Sequence, residues 1–274
     1  MFEIPLLFGD YMELCDMHIH LEQGPYTVSY AEQFVEQAER MNLTEINLLE
    51  HSVRFKEFHN TFKEAGEYSA YQNKWLQNKI KTAGSLDDFK KLACDIRSRN
   101  YSVKVSFGLE ICWFEQHGNY ISSLVDDDFF DYIIGSVHWV DNWTFNQRKY
   151  QWLNKDVNNI YKRYFEMEKS LIESNIFNAI AHPDLIMCHG LYPDYDLTKT
   201  YDELCRAAAF NKVKIEMNSA RGRKQGINNS FFEAAIRNNV SFITGSDAHC
   251  VEDVGKGIEK MTKLISHRSM SAGL

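Results

Sequence analysis

Seven short runs of apolar and β-prone residues recur along the chain, near 13–19, 45–50, 103–110, 131–137, 177–182, 213–218 and 241–246. Stretches with helical spacing follow most of them, near 29–41, 86–99, 155–174, 199–210, 229–238 and 252–265. Start signals support these helices: Ser85 stands before Leu-Asp-Asp, and Asn229-Ser230 precede the apolar run that begins at Phe231. Strands alternating with helices predict a parallel sheet. Seven such units, with ligand-type residues at the strand ends, predict an α/β fold of one kind: a distorted seven-stranded (β/α)7 TIM-like barrel. In such barrels the active site gathers at the C-terminal face of the strands.

No repeat, low-complexity tract or Pro/Gly/Ser linker divides the chain, so residues 1–274 are expected to form a single domain. Residues 1–12 read as a short N-terminal extension. One connection departs from the pattern. Residues 52–84 form a long insertion rich in aromatic and charged residues, among them Phe55, Phe58, Phe62, Tyr68, Tyr71 and Trp75. Parts of 56–66 and 69–82 have helical spacing. A connection of this length either packs over the barrel rim or covers the site as a lid.

Composition narrows the function classes. The chain has 274 residues, 44% hydrophobic and 25% charged, with a formal net charge of −8. That length suffices for one large domain with a full core. The negative balance argues against non-specific nucleic-acid binding, which needs a basic surface. It leaves room for an anionic substrate, because a metal site supplies local positive charge. No apolar run approaches the roughly 20 residues of a membrane span. The N-terminus lacks the basic and cleavage features of a signal peptide. The six cysteines form no CxxC pair, which points to a reduced, cytoplasmic compartment.

Candidate chemistry sits at the strand ends. His18 and His20 are two positions apart, so an extended strand points them to one face. Asp247 and His249 repeat the arrangement at the other end of the chain. Between them lie Glu50-His51, Glu110, His138, His182-Pro183-Asp184 and Glu216-Met217-Asn218. Six of the ten histidines fall at these positions, whereas His59, His117, His189 and His267 do not. One such histidine is more often a satisfied core or surface residue. A full ring of them is costly to bury unless cations neutralise it. Mixed imidazole and carboxylate ligation suits Zn, Mn or Fe better than Mg or Ca. The candidates exceed one tetrahedral site, so two or three divalent metals are expected, with Glu110 or Asp247 able to bridge.

Taken as a set, these segments resemble the polymerase and histidinol phosphatase (PHP) superfamily, from about residue 14 to 260. Phe107-Gly-Leu-Glu110, Ile134-Gly-Ser-Val-His138, Ala181-His-Pro-Asp-Leu-Ile186 and Ser246-Asp-Ala-His-Cys-Val-Glu-Asp-Val-Gly255 are similar to its monofunctional histidinol-phosphatase branch. The resemblance implies three metals. His18, His20, Glu110 and Asp247 would hold one. Glu110, His138 and His182 would hold a second. His51 and His249 would belong to the third. One position departs: Tyr26 stands where relatives often carry a further ligand, and Glu22 is a candidate replacement.

The resemblance further implies hydrolysis of a small phosphorylated substrate, L-histidinol phosphate, in histidine biosynthesis. The alternatives are another small phosphoester or nucleotide, a nuclease, or an inactive metal-binding module. Closely spaced metals would neutralise the phosphoryl oxygens and activate water, with Glu110, Asp247 and His249 in the catalytic set. The general acid is left open among water at the metals, His249 and Asp247. Cys250 is expected to pack away. Phosphate calls for further positive charge, and the candidates are Arg54, Arg163, and Arg221 or Arg223. Arg163 is supported by a Lys-Arg-Tyr stretch similar to one in that branch. Asn218 is a candidate for positioning substrate, or simply a turn former. Glu22, Trp139, Trp143 and the 52–84 insertion could wall the organic part. Oligomeric state is not legible.

Overall fold

The computed structural model describes residues 13–126, 128–220 and 227–271. In chain order the elements begin with β1 (Cys15–His20), α1 (Val28–Arg40), β2 (Glu45–His51), α2 (Lys63–Glu67), α3 (Ala70–Ile80), α4 (Leu86–Arg97) and β3 (Lys104–Cys112). Next come α5 (Gly118–Val125), β4 (Tyr132–Ser136), β5 (Trp139–Val140), β6 (Trp143–Thr144), α6 (Val157–Glu173) and β7 (Ala179–Ile180). The chain closes with α7 (Thr198–Asn211), β8 (Lys214–Asn218), α8 (Asn229–Arg237), β9 (Phe242–Gly245) and α9 (Ile258–Ser271).

Seven strands pair in parallel in the order β1-β2-β3-β4-β7-β8-β9. The first and last then meet: His20 N donates to Ala248 O at 2.8 Å, and Thr244 Oγ1 donates to Cys15 O at 2.6 Å. The result is a nearly closed (β/α)7 barrel, as the alternation of elements predicts. Period-2 patterning divides each strand between two cores. Ile46, Leu48, Phe107, Leu109, Ile111 and Ile215 face outward onto the helices. Met17, Leu49, Ile134, Ala179, Ala181 and Ile243 fill the inside. The helices answer with apolar stripes, such as Ala31, Phe34, Val35 and Ala38 on α1 and Phe89, Leu92, Ala93 and Ile96 on α4. Each fully buried Phe or Leu contributes about 1.5–3 kcal/mol.

β1 is not regular. Its register against β2 shifts between Asp16 and Ile19. The bulge lets Met17 join the inner core while His18 and His20 still point into the barrel. Asp16 is turned out of that set. Its carboxylate, fully buried, accepts from His18 N, Ser246 N and Gly255 N, and so ties the bulge to the loop after β9.

Three boundaries differ from the sequence pattern. The strand expected over 177–182 pairs only at Ala179–Ile180, because the chain turns at His182 with φ +31°. The helix expected from 252 begins at Ile258. A short 3₁₀ turn over Val251–Asp253 and positive φ at Gly255 and Gly257 hold that segment as a loop. The cap of α8 is Asn228, whose Oδ1 accepts from Ser230 N and Phe231 N.

The 52–84 insertion carries 3₁₀ turns over Ser52–Arg54 and Lys56–Phe62, then α2 and α3. It packs on the barrel rim through Phe55, Phe58, Phe62 and Leu76. Gln72, fully buried, donates to Ala65 O and Asn142 O and accepts from Thr144 N, joining the insertion to the β5–β6 hairpin. The expected N-terminal extension, 1–12, lies outside the described residues. Among the described residues no helix is long and apolar enough to cross a membrane.

Candidate metal centre

The C-terminal ends of the barrel strands converge on one carboxylate, Glu110 of β3, whose side chain is fully buried. His182 Nε2 lies 3.0 Å from its Oε1, and His138 Nε2 lies 3.6 Å from the same oxygen. His51 Nδ1 lies 2.6 Å from Oε2, His20 Nε2 3.5 Å and His18 Nε2 3.6 Å. Asp247 approaches from the other side of the barrel. Its Oδ1 is 3.5 Å from His18 Nε2 and 3.4 Å from His20 Nε2. His249 stands at the edge, its ring 4.5 Å from that of His20 and 5.6 Å from that of His51. His182 and Asp247 both have left-handed backbones, at φ +31° and +52°. Such conformations are costly outside glycine and turn each side chain off its strand at the site.

The arrangement fits metal ions and fits poorly without them. His18 Nε2 and His20 Nε2 are 2.9 Å apart, so two imidazole nitrogens face each other. Glu110 Oε2 is buried among imidazoles yet makes no hydrogen bond of proper geometry, despite the short distance to His51. Charge balance pulls neighbouring groups in opposite directions. Burial pushes the His20 imidazole down, and His51 adds to the push. Burial also opposes charge on His18, but Glu216 and Asp247 more than offset it and raise it well above the ordinary range. Burial would raise Glu110, yet the His51 and His138 rings hold it well below the usual carboxylate range. Among the described residues, three groups of donor atoms lie close enough to share an ion: His18, His20 and Asp247; His18, Glu110 and His182; His20, His51 and His249. Nitrogen and carboxylate oxygen donors of this kind suit divalent transition metals.

Two supporting residues carried no assigned role in the sequence reading. Glu216 Oε1 accepts from His18 Nδ1 at 2.8 Å, and its Oε2 accepts from His182 N and from Asn218 Nδ2. It orients His18 with Nε2 toward the centre, the usual task of a carboxylate behind a ligating imidazole. The signal was present, since Glu216 shares a strand face with Asn218. Asp16 acts through the backbone, as described, and its outward position in β1 hid it. Burial pushes its carboxyl up to about 6, against the opposing pull of its hydrogen bonds.

Above the centre is a cavity of about 270 Å³, lined by His51, His138, His182, Asp247 and His249 below. Phe62, Trp75 and Trp139 form an aromatic wall, with Glu22, Lys79, Thr144, Asn146 and Gln147 as polar lining. Of the expected wall, Glu22, Trp139 and the insertion are here. Trp143 is not; it packs on Trp152. Tyr26 packs against Phe55 and Phe89 beneath the insertion. Glu22 instead reaches the third group, with Oε1 3.5 Å from His249 Nε2.

Two of the expected phosphate-binding arginines, Arg163 and Arg54, do not line the cavity. Arg163 pairs with Glu115, with Asp141 at 2.8 Å and with Glu166 at 3.6 Å, and it does not line the cavity. Arg54 donates to Thr82 Oγ1 within the insertion. Asn218 is buried and shapes its own turn, accepting from Ala220 N at 2.9 Å. Arg221 and Arg223 lie outside the described residues. Cys250 points away to Asp253.

Known proteins agree with this picture. A family model for the PHP domain matches residues 16–220. A protein of Deinococcus radiodurans named probable histidinol-phosphatase is 26% identical over 159 residues, which span 56% of this chain and 60% of that relative. A probable histidinol-phosphatase of Clostridium acetobutylicum is 24% identical over 173 residues, spanning 60% of this chain and 68% of that relative. Among solved structures, histidinol phosphate phosphatase of Lactococcus lactis, in complex with zinc, L-histidinol and phosphate, superposes with a TM-score of 0.63. It is 17% identical, over 96% of this chain and 94% of that one, and so supports the fold. An archaeal ribonuclease P with mature tRNA contains a chain that superposes with a TM-score of 0.51 at 11% identity. The matched segment carries His18, His20, His51, Glu110, His138 and His182, and on it the chain belongs to the PHP domain family.

Proposed function

We propose that the protein is a metal-dependent phosphomonoesterase that hydrolyses L-histidinol phosphate to L-histidinol and phosphate, in histidine biosynthesis. The observation that carries this reading is the cluster of six imidazoles with Glu110 and Asp247, opening into a cavity walled by Phe62, Trp75 and Trp139. The names of both relatives support the substrate, as does the histidinol and phosphate bound by the Lactococcus protein.

In this reading His18, His20, Glu110 and Asp247 would hold one ion, and Glu110, His138 and His182 would hold a second. His20, His51 and His249, with Glu22, offer a third place. Bound there, divalent transition metals supply positive charge to the phosphoryl oxygens and make water acidic enough to attack phosphorus. The protein's own groups do the rest. Glu110 and Asp247 supply the negative charge that lets a buried set of neutral imidazoles accept cations. Glu216 and Asp16 fix the direction of His18 and of the loop that carries Asp247. The aromatic wall excludes water from the organic half of the substrate. His249 Nδ1 donates to Asp247 O at 2.8 Å, which leaves Nε2 facing the cavity. With two ions held, His249 as an imidazolium, still donating from Nδ1 to Asp247 O, would be placed to hand its Nε2 proton to the departing alkoxide. With three, His249 serves as a ligand.

The test is a steady-state comparison of histidinol phosphate with a panel of phosphomonoesters, nucleotides and short DNA, with zinc, manganese or iron supplied. Histidinol phosphate should give the highest kcat/KM. Asp247→Asn and Glu110→Gln should abolish turnover while the circular dichroism spectrum stays near that of the parent. Full activity after metal stripping would overturn the mechanism, and preference for another ester would reassign the substrate.

A further inference from the structure

Among the described residues, the cavity over the centre has one lysine or arginine in its lining, Lys79. It comes from the last turn of α3, in the insertion, not from a barrel strand. Its ammonium is positioned rather than splayed into solvent. Nζ lies 3.2 Å from Glu22 Oε2 and 5.7 Å from the centroid of the Trp75 ring. The other oxygen of Glu22 faces His249 Nε2 at 3.5 Å. One carboxylate thus links the ammonium to the outer edge of the metal cluster. Trp75 in turn packs edge-on against Trp139, 5.8 Å between centroids, and both line the cavity.

We propose that Lys79 binds the phosphate of the substrate while it stays paired with Glu22. The inference rests on the phosphomonoesterase reading. A phosphate monoester near neutral pH carries close to two negative charges. Ions held by the cluster would meet the oxygens that point inward. The oxygens that point to the cavity mouth need a donor there. Arg163 is engaged by three carboxylates, and Arg54 donates to Thr82 within the insertion and does not line the cavity. An ammonium has three donors, and Glu22 takes one. Lysine serves phosphate well as a point charge on a flexible stem. The insertion accordingly supplies both halves of recognition, the cation at Lys79 and the aromatic surface at Phe62 and Trp75.

The experiment uses metal-loaded protein and four variants: Lys79→Met, Lys79→Arg, Glu22→Gln and Lys74→Met, the last changing an exposed lysine of the same helix. Inorganic phosphate binding is followed by calorimetry, turnover by steady-state kinetics and metal content by elemental analysis. Lys79→Met should weaken inorganic phosphate binding about tenfold, equivalent to about 1.4 kcal/mol. KM should rise by a similar factor with a smaller change in kcat, and metal content should hold. Lys79→Arg should restore most of the loss, and Lys74→Met should match the parent. Unchanged phosphate binding in Lys79→Met would overturn the assignment. So would a loss of metal in Lys79→Met that Glu22→Gln reproduces, since Lys79 would then act only by supporting Glu22. A parent protein without phosphomonoesterase activity would sink the functional reading instead. The phosphate titration would still report on Lys79.

Discussion

His18 Nδ1 lies 2.8 Å from Glu216 Oε1, and both side chains are fully buried. The carboxylate accepts, so a proton sits on Nδ1 and Nε2 is turned to the centre, where its lone pair would face a bound metal. Glu216 Oε2 also holds the backbone of His182, at 2.6 Å from its N. One residue therefore aims two of the metal-facing histidines.

Glu216→Gln should lower metal affinity and kcat/KM by about 10–100-fold, the usual effect of removing a carboxylate behind a ligating histidine. The amide can satisfy one of its donors but not every one. Titration against a competing chelator reads the affinity. A variant that binds metal as tightly as the parent would separate Glu216 from the centre.

Gly245→Ala should damage the same pair from the backbone side. A Cβ at Gly245 would fall 2.1 Å from Glu216 Oε1 and 2.6 Å from His18 Cβ. Neither neighbour can retreat, since both are buried and hydrogen-bonded to each other. Overpacking of this kind costs about 1–3 kcal/mol. Urea denaturation should show that loss together with weakened metal binding. Parent-like behaviour in both would mean that the strand end relaxes.

Glu168 offers a test of stability against pH, away from the centre. It is fully buried on α6, beside Tyr164, whose hydroxyl donates to Pro183 O. Burial raises its carboxyl well above the ordinary value of 4.5, and Asp184 adds to the shift. A carboxyl raised in the folded state makes its full contribution below the unfolded pKa and loses it as pH climbs through the folded value. Glu168→Gln removes that loss. The variant should match the parent near about pH 4 and exceed it by about 1–3 kcal/mol at about pH 8, the cost of a buried unsatisfied polar group. Denaturation curves across this range decide it, and a gap that does not widen with pH would show that Glu168 ionises freely.

Much of the barrel was legible because each strand carries a period-2 pattern and each helix an apolar stripe. The ligand-type residues were legible for a related reason. A parallel barrel brings the C-terminal ends of all its strands to one face, so chemistry at those ends is collected whatever the loop lengths. The register of β1 was not legible. Nothing in Cys15-Asp-Met-His18 announces the bulge that sends both Met17 and His18 inward. The β5–β6 hairpin was also missed as a hairpin. Its strands have two residues each, too short for a pattern, although Asp141 and Asn142 take the positive φ that their residue types tolerate.

The sequence by itself determined the fold class, the membership of the strand-end ring and the chemistry that ring can hold, because these follow from local periodicity and residue type. Tertiary structure alone decided which charges meet. His18 and Glu216 are 198 positions apart, and Asp16 and Gly255 239. Lys79 and Arg163 look alike as surface cations in a helical pattern. Packing of the insertion on the rim turns one to the cavity, while three carboxylates hold the other away from it. Side-chain charge is written in the chain, but the direction it faces depends on which elements pack together.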